Sequence, residues 1–392
     1  MGKLIYLVDD EAPLLSIMGI IFESMGAGHE TVTFGDPLKA LEAVRRRAPD
    51  LVISDHQMPE LTGSELLEAV RGISPHTIRI LMSGYVSSLA RIGSAHQYLA
   101  KPCQAAYLKR TVAGAFSAQD RYLGKTELAK VVASLRSFPI VPTVYHKLIH
   151  LLSDPEYSVH DVSQLLLRDG GLLTKIIHLA NSPLFKGQTR VTEPHEAILA
   201  LGTNNLKTIV LSLHIFSNYD TLQFTEISAL QLAPHSFLAA QRTEEISRQM
   251  GVPKDGEAFF AGMLHDLGQL ILMENKKDGY QKACRTAIAE KQELIDVERQ
   301  AFGISNTELA AFLLCLWGAS PEVIDAVTFH PRPWENPHPQ FNMTDALYVA
   351  NLLARKKCPP DSLRSPPLNT RYLESLGVQS ELIRQWSKDL AE

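Results

Sequence analysis

The sequence predicts two fold classes in succession: an α/β domain with a parallel sheet, then an all-α domain. Three observations carry this expectation. Residues 3–118 alternate short apolar runs with helical stripes. The stretch Phe138-Pro139-Ile140-Val141-Pro142 then breaks the pattern. Beyond it, residues 139–392 carry one helical stripe after another and no convincing strand alternation.

In the first part, strands are expected near 3–8, 30–34, 50–54, 77–82 and 96–100, and helices near 12–25, 36–47, 62–71, 86–93 and 103–118. Leu51-Val52-Ile53-Ser54 is apolar and too short for a helix, so it reads as a buried strand. It ends at Asp55. Pro59 cannot continue a strand, and Gly63 punctuates the loop before the next helix. A carboxylate at the C-terminal end of such a strand sits where open α/β sheets bind ligands. The first strand, Lys3 to Val8, also runs into acids, Asp9 and Asp10. If the two strands are neighbours, three carboxylates meet at one edge and repel one another unless a hard cation joins them. Mg2+ suits, because it takes oxygen ligands and works beside phosphate. Two further strand ends add the hydroxyl of Ser83 and the ammonium of Lys101.

This set of five polar positions resembles the receiver domain of two-component response regulators, over about the first third of the chain. The resemblance implies a flavodoxin-like (βα)5 fold over residues 1–120, with strand order 2-1-3-4-5. It implies Asp55 as the phospho-acceptor, and Asp9, Asp10, Asp55 and the main-chain carbonyl of Gln57 as Mg2+ ligands. Ser83 and Lys101 would contact the phosphoryl oxygens, and Tyr98 would be the switch aromatic. A sensor histidine kinase or phosphotransfer protein is the implied donor.

The helical pattern runs on from there. Leu108, Val112, Ala115 and Phe116 continue the stripe, and Leu128, Val131, Val132 and Leu135 resume it after Gly124. Residues 105–135 therefore read as largely helical with a break at Gly124, and 121–137 as a connector. It is either a signal-carrying or dimerising helix, or an ordinary last helix followed by a domain-entry helix. Ser158 is expected to cap the helix that follows it, and Thr203 or Asn204 the helix carrying Leu206, Ile209 and Val210. The end, 357–392, reads as a Pro-rich loop and one or two short closing helices.

Three motifs mark the second domain, expected over 138–356. They are Leu179-Ala180-Asn181-Ser182-Pro183-Leu184-Phe185, Ala197-Ile198-Leu199-Ala200-Leu201-Gly202 and Gly262-Met263-Leu264-His265-Asp266-Leu267-Gly268. Together they resemble the HDOD domain, a relative of the HD phosphohydrolases. Such enzymes hold a divalent metal with two histidines, an adjacent His-Asp and a distal Asp, and use it to sharpen a bound water. By that resemblance His235, His265 and Asp266 match, whereas the distal acid is replaced by Asn351. Asp345 lies nearly two turns earlier. Gln269 stands where relatives often carry lysine, and Asn306 replaces a histidine in the pattern that Glu298 and Gly303 begin. Phe329-His330 replaces a histidine pair, and no Gly-Tyr-Pro signature follows. The remnant therefore reads as a vestigial HD site that acts by binding. A bound divalent metal, a cyclic dinucleotide ligand and a regulated phosphohydrolase remain the alternatives. The structural alternative for His265 and Asp266 is a hydrogen-bonded pair at a helix junction. Asn181-Ser182 reads as a cap or junction rather than a ligand.

The chain has 392 residues, 45% hydrophobic and 21% charged, with net charge -5. That composition is globular, and no global basic field draws it to nucleic acid or anionic lipid. No Arg- and Lys-rich recognition helix follows residue 120, which argues against DNA binding, and Arg45-Arg46-Arg47 reads as a solvated helix face. No apolar run approaches a membrane span and no signal-peptide pattern is present. The cysteines Cys103, Cys284, Cys315 and Cys358 are scattered, which fits a reducing cytoplasm. The reading is thus a receiver that switches an HDOD output domain toward an unknown downstream protein, with homodimerisation through the receiver or connector an open expectation.

Overall fold

The computed structural model describes the whole chain except residues 1, 27, 85–94, 124–125, 140, 153, 183–189, 220, 223, 225, 253–255, 360–364 and 392. The chain divides into two compact units. The first holds residues 1–141 with 302–304 and 312–320; the second holds 142–301, 305–311 and 321–392. Nothing in the sequence announces that two short late segments group with the first unit. The connector 121–137 belongs to the first unit and the tail 357–391 to the second.

In the first unit, five strands form one parallel sheet: β1 (Leu4–Val8), β2 (Glu30–Phe34), β3 (Leu51–Asp55), β4 (Ile78–Ser83) and β5 (Gln97–Ala100), in the order β2-β1-β3-β4-β5. This is the flavodoxin-like order expected. β1 and β3 are buried at every position and, Ser54 apart, are apolar up to their acids, as parallel strands covered on both faces tend to be. The helices are α1 (Ala12–Glu23), α2 (Pro37–Arg46), α3 (Gly63–Ile73) and α4 (Ala105–Ala118). The helix expected at 86–93 lies outside the described residues. Asp36 caps α2, and Thr62 with Glu65 forms a capping box on α3. Arg45, Arg46 and Arg47 are exposed, and Arg46 and Arg47 pair with Glu42 and Glu30.

After α4 the chain widens into a π-helical turn (Gln119–Leu123), and α5 (Thr126–Ser134) follows. Lys3 at the foot of β1 holds that turn, donating to Gln119 at 2.8 Å and to Asp120 at 2.5 Å. Gly124 lies outside the described residues.

The second unit is helical, and its regular helices begin with α6 (Thr143–Leu152), α7 (Val159–Leu167), α8 (Gly170–Ala180), α9 (Pro194–Leu201) and α10 (Thr203–Asn218). Ser158 caps α7 in a capping box with Asp161. Neither Thr203 nor Asn204 caps α10: its N-cap is Gly202, at φ 79, which ends α9 and starts α10 at a bend of 105°. No side chain is needed there because the carbonyl and N–H of one glycine serve both helices. Asn181 is a junction: its amide donates to Ile177 O and Val191 O and accepts from Val191 N, tying the end of α8 to Val191. The remaining helices, of which Phe302 and residues 312–316 group with the first unit, are α11 (Ala229–Gln249), α12 (Glu257–Leu264), α13 (Leu267–Glu290), α14 (Leu294–Phe302), α15 (Asn306–Leu316), α16 (Pro321–Phe329), α17 (Met343–Lys357), α18 (Thr370–Ser375) and α19 (Ser380–Ala391). α11 packs along α12 and α17, and these three bring the site residues of this unit together. Among the described residues, no single helix is long and apolar enough to cross a membrane.

Candidate functional site

The strand register builds the first site. Val8 pairs with Ser54, Asp55 with Met82, and Ser83 with Ala100. Asp9, Asp55, Ser83 and Lys101 therefore stand at successive rungs of one sheet edge, all beyond or at the last paired residue. Asp9 and Asp55 are buried side by side, and the Lys101 ammonium reaches both, at 2.7 Å and 2.5 Å. Burial works against the charge of Lys101, but its hydrogen bonds to Asp55 and Asp9 outweigh that and hold its pKa above the ordinary lysine value. Asp9 Oδ1 accepts from the main-chain N–H of Glu11, and Asp55 Oδ2 from that of Gln57. Asp10 is exposed beside them. Gly63 is required: a Cβ there would fall 1.8 Å from the main-chain oxygen of Asp55. Tyr98 is buried in the sheet core, and burial pushes its hydroxyl pKa up. The oxygen donors of Asp9, Asp10, Asp55 and Gln57 are the hard set that Mg2+ takes, so the residues fit that cation.

The second site lies where α12 ends and α13 begins. His265 is the C-cap of α12 and Asp266 the N-cap of α13. The turn is tight because Gly268 lets α13 meet the start of α15. A Cβ there would fall 1.9 Å from the main-chain oxygen of Asn306. His235, on α11, and Asn351, on α17, complete the group: His235 Nε2 is 3.0 Å from Asn351 Oδ1 and 3.6 Å from Asp266 Oδ2.

Each histidine here is anchored by Nδ1 on a main-chain carbonyl: His235 on Cys358, His265 on Gly262, and His330 on Val327. In a neutral ring such a bond leaves the lone pair on Nε2, as at His330; at His235 both ring nitrogens face oxygens, Cys358 O and Asn351 Oδ1. Burial is the main cause that lowers the pKa of His235 to about 4 and of His330 to about 3, so both rings are neutral near pH 7. Burial raises the Asp266 carboxyl, but His265 and His235 overcome it and hold it well below the usual carboxylate range. His265 Nε2 lies 3.2 Å from Asp266 Oδ2, at ion-pair distance but out of hydrogen-bond alignment, and neither atom has a hydrogen-bond partner. At this helix junction His265 Nδ1 bonds the Gly262 carbonyl and Asp266 Oδ1 accepts from Gln269 Nε2. His235, His265 and Asp266 offer three ligand atoms within 4.8 Å of one another. Two imidazole nitrogens and a carboxylate oxygen fit a divalent cation.

Asp345 is elsewhere: it binds His338, Tyr372 and the start of α17. Sequence reasoning noted His330 only as a departure, yet its ring meets that of His265 edge-on at 5.0 Å between centroids. Arg355 was missed. It lines the adjoining cavity, of about 90 Å3, with Asp266, Gln269, Asn306, His330 and Asn351. Its place one turn after Asn351 on α17 was the available signal.

Comparison with known proteins accounts for both units. Residues 5–113 match the family profile of the response regulator receiver domain. Residues 138–333, half of the chain, match that of the HDOD domain. The chain belongs to the HDOD family. It is similar over 114 residues, at 37% identity, to the transcriptional regulatory protein YesN of Bacillus subtilis, which covers 25% of this chain and 28% of that protein. Over 82 residues it is 38% identical to the Regulator of RpoS of Escherichia coli, covering 21% and 24% of the two chains. An uncharacterised protein of Treponema pallidum is 20% identical over 236 residues, 59% of this chain and 45% of its own. This chain thus spans less than half the length of each of these relatives. Among solved structures, an HDOD domain protein from Geobacter sulfurreducens aligns with TM-score 0.54 and 21% identity, covering 67% of this chain and 86% of that one. A signal transduction protein from Marinobacter aquaeolei aligns with TM-score 0.52 and 17% identity, covering 90% and 81%. These two likenesses concern the fold of this receiver–HDOD chain.

Proposed function

We propose that this receiver–HDOD chain is a phosphorylation-controlled signalling protein of the cytoplasm. A sensor histidine kinase or phosphotransfer protein passes a phosphoryl group to Asp55, and the HDOD unit answers by changing what it binds. One observation supports this above the others: Lys101 bridges Asp9 and Asp55 at the C-terminal edge of the sheet. An Asp55 carboxylate oxygen attacks phosphorus, the bond from phosphorus to the donor nitrogen breaks, and the donor imidazole keeps that electron pair. Asp9, Asp10, Asp55 and the Gln57 carbonyl would hold Mg2+, which when bound offsets the negative charge of the transferred group. Lys101 and Ser83 then meet the phosphoryl oxygens. The product carries about 1.5 to 2 negative charges more than a neutral side chain, so Lys101 is drawn from Asp9 toward it and Tyr98 repacks. The change reaches output only through its difference in free energy between two states. A tenfold shift takes about 1.4 kcal/mol.

The test is phosphoryl incorporation from a small phosphodonor, with partner capture in the presence and absence of beryllofluoride. Asp55→Asn should abolish incorporation. If partner capture still responded to the phosphodonor in that variant, the proposal would fail.

A second reading concerns the HDOD unit, and the orphaned Asp266 Oδ2 and His265 Nε2 favour it. His235, His265, Asp266 and Asn351 would hold a divalent cation. The cavity of about 90 Å3 is well below the ~300 Å3 of small-molecule pockets, which supports a cation with waters over a cyclic dinucleotide. Metal analysis with a hydrolysis screen of nucleotides and cyclic dinucleotides separates binding from catalysis. Turnover lost in His265→Ala would establish a regulated phosphohydrolase instead.

A further inference from the structure

The cavity beside Asp266 is lined by Arg355 and also by a set of fixed acceptors. Glu298, fully buried on α14, accepts from the main-chain N–H of Asn306 at 2.7 Å and from its Nδ2 at 2.8 Å. The Tyr280 hydroxyl donates to the other carboxylate oxygen at 3.0 Å. These bonds commit the amide nitrogen of Asn306, so the side chain meets the cavity through Oδ1, which has no partner. Gln269 repeats the arrangement. Its Nε2 donates to Asp266 Oδ1 at 2.6 Å, and its Oε1 is left without a partner. Gln269, Asn306 and Asp266 are all at least nine-tenths buried, and all line the cavity. Three oxygen acceptors, each fixed by a neighbour, thus border a space large enough for several waters. Buried acceptors are costly to leave unmade. Water filling the space can donate to them.

We propose that Gln269 and Asn306 form a water-holding rim. Their amide oxygens accept hydrogen bonds from waters carried by a divalent cation seated on His235, His265 and Asp266. This rests on the cation reading above and adds the residues that set how tightly the cation is held. Water on a cation is a strong donor and is fixed by outer acceptors. A neutral amide takes no proton, so the water it holds stays water. The rim therefore suits a binding site rather than a hydrolytic one. Glu298 acts through Asn306 and is a positioning residue.

The experiment uses the full chain with Asp9→Asn and Asp10→Asn, which silences the receiver's own cation site. The probe is Mn2+, read by calorimetry for affinity and by water-proton relaxation for bound water. Gln269→Met and Asn306→Leu should each lower Mn2+ affinity about tenfold or more and reduce the relaxation enhancement. Glu298→Leu removes the acceptors that hold Asn306, and should lower affinity as Asn306→Leu does. Thermal melts identify any variant that fails to fold, and the remaining variants then decide. Unchanged affinity and relaxation in the folded Met and Leu variants would overturn the rim while leaving the cation reading intact. Absence of Mn2+ binding in the parent chain would remove both.

Discussion

The two acid-bearing sites meet the same electrostatic difficulty in opposite ways. At the receiver edge, Asp9 and Asp55 are buried next to each other, and the chain supplies its own cation, Lys101. At the junction of α12 and α13, Asp266 is buried next to the imidazoles of His235 and His265, and its Oδ2 has no hydrogen-bond partner. A site that carries its own countercharge is stable without a ligand and is poised to respond when new charge arrives. A site with unmet acceptors gains stability when a ligand comes. The first arrangement suits a switch, the second a binding seat.

The largest expected effect breaks the two apart. Asp55→Asn should remove phosphoryl incorporation altogether, whereas His265→Ala should leave it at the parent level. Both are read on the same radiolabelling gel. Equal loss in both variants would mean that the sites are not independent pieces of chemistry. Next comes Gly268→Ala. The added Cβ would press on the Asn306 main chain, which cannot rotate away as a side chain could. Overpacking of this kind costs about 1–3 kcal/mol. It should lower the melting temperature, with phosphoryl transfer to the native chain unaltered. An alanine variant that melts with the parent would show that α13 and α15 have slack there.

Acid and base should unsettle the sites in opposite directions. The folded pKa of His235 is about 4 and of His330 about 3, below the ~6.5 of an unfolded chain. As pH falls below ~6.5 the unfolded chain takes up protons that the folded one refuses, so stability is lost until the folded values are passed. Glu298 does the reverse. Burial raises its pKa to about 7, against hydrogen bonds from Asn306 and Tyr280. Its stability contribution declines as pH rises from ~4.5 through the folded value. The two slopes oppose each other between about pH 4.5 and pH 6.5. Glu298→Gln removes one of them, so stability should climb more steeply with pH there, by about 1.4 kcal/mol per unit. Urea unfolding at about pH 5 and about pH 6.5 measures it. For Lys101 the folded pKa is raised, so its contribution is full below the unfolded value of ~10.5 and is lost as pH rises through the folded one. The receiver site thus loses stability only at strongly alkaline pH, above the range in which Glu298 acts.

How much of this was legible in the sequence differs between the sites for a physical reason. In a parallel sheet, every strand ends at the same edge, so reading where apolar runs stop already places Asp9, Asp55, Ser83 and Lys101 together. Helical packing offers no such rule. His235, His265 and Asn351 come from three helices, and only likeness to a family put them in one site. The hydrogen-bond state was not legible at all. A His-Asp pair can satisfy itself or leave an acceptor bare, and only the geometry of Gly262, Gln269 and Asn306 around it decides which. The capping of α7 by Ser158 could be read from local spacing. That of α10 could not, because Gly202 at positive φ serves two helices.

The smallest effect gives the sharpest comparison, because the same device occurs once in each unit. Thr62 with Glu65 caps α3, and Ser158 with Asp161 caps α7. Replacing either hydroxyl residue by alanine should cost about 1 kcal/mol. In the receiver the cap also sets where α3 starts, and Gly63 at that start lies against the main chain of Asp55. α7 carries none of the residues placed in either site. Thr62→Ala should therefore slow phosphoryl incorporation severalfold at nearly full folding, and Ser158→Ala should not change it. Equal rates in the two variants would show that the phospho-acceptor is positioned by its strand alone, and that the loop from Asp55 to Gly63 is free to shift without consequence for the chemistry.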